Sequence, residues 1–182
     1  MYKTSYFSTK KLSMIGLATA VTCVLAPLSI PIPVSPVPIT LTNLVILLNI
    51  YIIGYQEATI SLLVYLLLGT AGLPVFSGFS GGLGKLAGPT GGYLIGFIFL
   101  VLIAGLFITK FPSSPTLAVV GMILGMAVTY GFGTIWLAVQ MELSFLEALS
   151  IGVIPYLIGD AVKILLVALA GPKLQKRLAQ FR

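Results

Sequence analysis

The chain has no histidine, a single cysteine and only four acidic residues in 182. Without histidine there is no imidazole base, no Ser-His-Asp triad and no histidine metal site. Cys23 stands alone in an apolar run, so neither a disulfide framework nor a Cys-x-x-Cys site is available, and it reads as a small packed hydrophobe. No metal and no cofactor is expected. Charge of either sign is scarce, at 8% of residues, against 58% hydrophobic residues and a mean hydropathy of +1.13. A soluble domain of this length cannot hide so much apolar surface, so lipid must cover it. The composition describes an integral membrane protein.

Six apolar segments emerge, separated by short polar or Gly/Pro punctuation: Leu12 to Ile30, Ile39 to Ile53, Ala58 to Gly72, Gly91 to Phe111, Thr116 to Val139 and Phe145 to Ala170. The runs are long and lack strict alternation, which favours helices over a transmembrane barrel. The expected fold is an all-α bundle of six transmembrane helices, a single domain over residues 1–182. Lys3, Lys10 and Lys11 ahead of an apolar stretch also describe a signal peptide. The stretch continues into "PLSIPIPVSPVPIT" with no small-x-small cleavage site, so it is expected to stay as the first span.

With a cytoplasmic N-terminus, the inside collects Lys3, Lys10, Lys11, Lys110, Lys173, Lys176, Arg177 and Arg182, while the outside holds Lys85, Glu142 and Glu147. Both termini are therefore expected inside. The basic tail "KLQKR" reads as an orientation signal and anionic-lipid contact, not as a nucleic-acid site.

This topology puts "VFSGFSGGLGKLAGPTGGY", Val75 to Tyr93, on the outer face. It is longer than a bundle connection needs and carries Phe76, Phe79 and Lys85 among glycines that include Gly82. A flexible lid over an outward-facing site is the expectation. It is no nucleotide loop: "GGLGKL" lacks the GxxxxGK[ST] spacing, and Leu86 stands where a hydroxyl would hold magnesium.

The strongest signal is in the last span, "IPYLIGDAVKILLVALAG". Asp160 and Lys163 are ionisable groups in an apolar helix, where each costs at least about 2.5 kcal/mol at the bilayer centre. A spacing of three puts them on one face, and Pro155 and Gly159 loosen the helix just upstream. Asn43, Tyr93 and Tyr130 fall at similar depth, in the outer halves of their spans. Together these side chains outline a pocket. Carboxylate and ammonium one turn apart suit a neutral ligand with N–H donors beside a carbonyl, as in a cyclic urea, though many small polar solutes satisfy that pattern. Lys85 and the loop amides would then meet an anionic tail.

The runs "PVPITLTNLVILL", "GLPVFSGFSGGLGKLAGPTGGYLIGF" and "IPYLIGDAVKILLVALA" resemble, in matching order, the BioY family. These are the biotin-specific substrate-binding (S) subunits of energy-coupling factor (ECF) transporters. The resemblance implies a six-helix protein, not an enzyme, in a bacterial cytoplasmic membrane. It would capture extracellular biotin and dock on a transmembrane coupling subunit that carries two ATPase subunits. It further implies ligand contacts from Asp160, Lys163, Lys85, Tyr93 and the loop glycines. Asn43 stands where the family's second-span signature often carries a polar residue. On the first helix, Ala18, Thr22 and Ala26 form a small-residue face of the kind such subunits present to the coupling subunit. Gly16 and Ala20 form a second such face, so bundle packing competes for either. An S subunit for another vitamin and a stand-alone secondary transporter remain the alternatives.

Overall fold

The computed structural model describes residues 8–179; Lys3 and Arg182, both used in the charge argument, lie outside them. Helix α1 (Thr9–Leu25) starts where the Ser8 hydroxyl accepts the Lys11 amide. It ends just before Pro27, which cannot continue it. The first span was expected to run on to Ile30. Instead Pro31, Pro33, Pro36 and Pro38 forbid helix, and the chain forms an antiparallel hairpin, β1 (Ser29–Ile32) and β2 (Ser35–Thr40), pairing Ser29 with Thr40 and Ile30 with Ile39. A two-stranded ribbon has only edges, which is where proline is tolerated in a sheet. The expectation of a purely helical chain is corrected to this extent.

Helices α2 (Thr42–Ile53) and α3 (Tyr55–Thr70) are joined by Gly54 alone, whose φ of 91° suits glycine and few other residues. A short helix α4 (Leu83–Ala87) lies within the glycine-rich loop. It is followed by α5 (Gly91–Lys110) and α6 (Pro115–Met141), the most extensively packed pair in the bundle. Their close approach depends on missing side chains: a Cβ on Gly96 would sit 2.9 Å from Cγ2 of Thr129, whose hydroxyl donates to the Gly96 carbonyl at 2.9 Å.

The last segment is not one helix. A capping box of Ser144 and Glu147 opens α7 (Phe145–Gly152), a 3₁₀ turn follows at Ile154–Tyr156 where Pro155 interrupts the ladder, and α8 (Leu157–Ala179) completes the chain. Among the described residues, α5, α6 and the broken segment Phe145–Leu178 are long and apolar enough to cross a membrane, and Thr42–Ile53 is a shorter apolar helix.

The core corrects two further expectations. Ala18, Thr22 and Ala26 are buried inside the bundle and present no face to a partner. Thr22 is held there because its hydroxyl donates to the Ala18 carbonyl at 2.8 Å and accepts from Asn49 Nδ2 at 3.2 Å. The outward side of α1 carries Gly16 and Ala20, with Leu17 and Val24 beside them. Phe76 is fully buried, edge-on to Tyr65 at 5.5 Å between ring centroids and seated against Gly69, so it anchors the loop to the core. A Cβ on Gly69 would collide with that ring at 2.1 Å.

Candidate functional site

Three elements distant in sequence deliver the polar cluster. The first turn of α8 carries Asp160 and, one turn on, Lys163; α2 begins next to Asn43; and α6 presents Tyr130. Asp160 Oδ1 accepts from Lys163 Nζ at 2.8 Å and from Asn43 Nδ2 at 2.8 Å, while the Tyr130 hydroxyl donates to Oδ2. Lys163 Nζ also donates to Asn43 Oδ1 at 3.1 Å and to the Thr40 carbonyl at 2.6 Å. The two charged side chains are 12% and 13% exposed. An ammonium has three donors, and all three of Lys163's are engaged. A carboxylate has about four acceptor positions, and three of Asp160's are filled, which leaves one on Oδ2. The pair is largely shielded without an uncompensated charge, the condition on which an ion pair survives in an apolar surrounding.

The cluster forms one side of a cavity of about 60 Å³ whose other walls include Tyr93, Phe97, Met126 and Tyr156. A neighbouring cavity of about 50 Å³ shares Val37, Thr40, Tyr93 and Phe97 with it and extends to Ser77 and Thr90 of the loop. Tyr93 packs so closely on α6 that a Cβ on Gly133 would lie 2.3 Å from its ring. Its hydroxyl is buried and makes no hydrogen bond among the described residues.

Asn43, Tyr93, Tyr130, Asp160 and Lys163, singled out in the sequence, thus converge on one cavity. Phe76, Gly82 and Lys85 do not line it. Phe76 belongs to the core, and the Gly82 amide donates to the Gly69 carbonyl at 2.7 Å. Lys85 sits half-buried on α4, with no ion-pair or hydrogen-bond partner for its ammonium among the described residues. Burial there pushes its pKa below the ordinary lysine value.

The loop also differs from a loose lid. Gly78 N–H donates to the Pro27 carbonyl at 3.0 Å, Phe76 and Ser80 pair as an isolated bridge, and Trp136 Nε1 holds the Gly88 carbonyl at 2.9 Å. With Gly82 and the buried Phe76 ring, these contacts fasten the loop to α3, to α6 and to the turn that follows α1.

Sequence reading missed Tyr156 and the hairpin. The Tyr156 hydroxyl donates to the Val37 carbonyl, so the 3₁₀ turn grips β2 just as Lys163 does through Thr40. A signal existed: Tyr156 lies four residues before Asp160, on the same side of a continuing helix.

Relatives match this chain over nearly their whole length. It is 37% identical over 166 residues to the probable biotin transporter BioY of Pyrococcus horikoshii, covering 91% of this chain and 96% of that one. It is 36% identical over 167 residues to the biotin transporter BioY of Thermotoga maritima, covering 92% and 96%. Its fold is similar to the crystal structure of the S-component for biotin from an ECF-type ABC transporter, with a TM-score of 0.87 and 30% identity over 96% of this chain and 95% of the other. Residues 1–180 match the BioY family profile, and with full-length relatives at this identity the chain belongs to the BioY family.

Proposed function

We propose that this membrane protein is the biotin-binding S-component of an ECF-type importer. It would capture biotin outside the cell and release it inward when coupled to a transmembrane subunit and two ATPases. The observation that carries the reading is the part-buried Asp160–Lys163–Asn43–Tyr130 cluster in a member of the BioY family.

The chemistry fits a ureido ring. One N–H of the ring takes the open acceptor position on Asp160 Oδ2. The ureido carbonyl displaces Asn43 Oδ1, the longest of Lys163's three bonds, and Asn43 then turns its own amide to the ring. Tyr93, Phe97 and Tyr156 enclose the apolar bicycle. The valerate carboxylate points to the loop, where the half-buried Lys85 has no counter-ion among the described residues.

Helices α1, α2, α3, α5, α6 and α7–α8 form six crossings of a bacterial cytoplasmic membrane with both ends inside. In support, the Lys11–Glu57 ion pair at 2.9 Å joins the start of α1 to the first turn of α3, which puts both at one end of the bundle. The exposed Gly16 and Ala20 side of α1, in place of the buried one first expected, meets the coupling subunit.

Isothermal titration of the purified chain with biotin, and with thiamine and riboflavin in parallel, tests the reading. Saturable binding of biotin alone supports it. Binding of another vitamin with none of biotin overturns it.

A further inference from the structure

Helix α6 packs along α5, whereas α8 leans chiefly on α2, so α6 and α8 diverge and leave a cleft between them. The cleft encloses about 420 Å³, seven times the volume of the polar cavity, and Ile123, Ala127, Leu157, Ala161 and Leu165 line it. Its rim residues Ile123, Leu157 and Leu165 are about half exposed and continue the outward apolar surface of two segments long enough to cross the membrane. The cleft therefore opens sideways into the bilayer.

We propose that this cleft binds one acyl chain of a bilayer phospholipid. Three observations select that occupant. The lining carries no free charge: its only ionisable groups are Tyr130 and Asp160, which bond to each other, and the Asp160 carboxylate is neutralised by Lys163 and accepts a further N–H from Asn43. An uncharged hydrocarbon is complementary to such a surface, and water is not. The small side chains of Ala127 and Ala161 let a chain lie between the helices, in contact with both. The cleft is also continuous with the lipid-facing surface, so a chain enters it without leaving the hydrocarbon layer.

The site goes beyond biotin capture and stands without it, yet the two touch. Met126, Tyr130 and Asp160 line both the cleft and the polar cavity, so the acyl chain backs the wall against which Asp160 is held. It keeps water from reaching the carboxylate from the side.

The test uses the full chain in lipid nanodiscs without biotin. A phosphatidylcholine with a diazirine in mid-chain is photolysed, and the labelled peptides are mapped. The expected result is labelling at residues 119–130 and 157–165 at least fivefold above that at Leu102 and Leu106, exposed residues on α5. Ala127→Phe and Ala161→Phe should each remove that excess, while Leu106→Phe should preserve it. The wild-type map stands even if a variant fails to fold. Even labelling of all exposed helices overturns the proposal. So does labelling by a free diazirine fatty acid in place of the phospholipid, or a chain–chain adduct through these residues, which would make the occupant a second copy.

Discussion

Lys163 Nζ lies 2.6 Å from the Thr40 carbonyl oxygen, so a side chain of the last helix holds the end of the β1–β2 hairpin. The same ammonium bonds Asp160 and Asn43. Cation, anion and hairpin thus form one unit, and single substitutions should separate their contributions.

Asp160→Asn keeps the shape and removes the charge, leaving Lys163 a buried cation without its counter-ion. Biotin affinity should fall by at least about 2 kcal/mol, roughly thirtyfold, by calorimetric titration. Unchanged affinity in a folded variant would remove Asp160 from the ligand site.

Lys163→Met should weaken biotin binding and also free the Thr40 carbonyl. Amides in Ser29 to Thr40 should exchange about tenfold faster than in the parent, equivalent to one hydrogen bond of about 1.4 kcal/mol. Asp160→Asn retains the Lys163–Thr40 bond and should leave hairpin exchange nearly unchanged. Equal effects of the two variants would refute the separate tie.

Ala20→Trp and Ala18→Trp should part company. Ala20 faces outward, so its variant should fold and bind biotin normally yet lose uptake in cells carrying the coupling module and its ATPases. Ala18 is buried, and overpacking there should cost about 1 to 3 kcal/mol, visible as a lower melting temperature. Normal uptake with Ala20→Trp would move the coupling face elsewhere.

Biotin affinity should depend on pH through Lys85. In the proposed complex the charged form of Lys85 would hold the carboxylate, a contribution present while the ammonium is protonated and lost as pH rises through the lysine's pKa. Burial lowers that pKa, so the loss should begin below the ordinary lysine range. Lys85→Arg should push the loss to higher pH, and a profile that neither residue alters would exclude Lys85 from ligand contact.

Phe76→Ala removes a fully buried ring and should destabilise the chain by about 3 to 5 kcal/mol. Amides of Gly78 and Gly82 should be protected from exchange before any biotin is added, because each already has a carbonyl partner. Fast exchange at both would restore the loose lid.

The helical segments were legible because hydrocarbon length and Gly/Pro punctuation are local properties. Asp160 and Lys163 stood out because charge in an apolar helix is costly wherever the helix packs. The faces of α1 were not legible in this way. Ala18–Thr22–Ala26 and Gly16–Ala20 are equivalent as spacing, and the inward side is marked only by partners distant in sequence, Asn49 on Thr22 and Ser61 on Thr19. Phe76 looked like a loop aromatic because the vacancy that receives it is made by Gly69, on another element. The hairpin's prolines were visible, but its apolar composition merged with the span before it.

The interruption at Ile154–Tyr156 has an electrostatic effect on the site. Had Phe145 to Ala170 been one unbroken helix, Asp160 would lie in its middle, where peptide dipoles pass a carboxylate with little net effect. Because α8 begins at Leu157, Asp160 falls in its first turn, against the positive pole of a helix 23 residues long. Such a placement stabilises an anion by about 0.3 to 1 kcal/mol, and by more where solvent is excluded. Lys163, one turn further in, is beyond the strongest part of that field. The helix start thus favours a negative charge at the Asp160 position, and a continuous helix through Pro155 would remove that contribution.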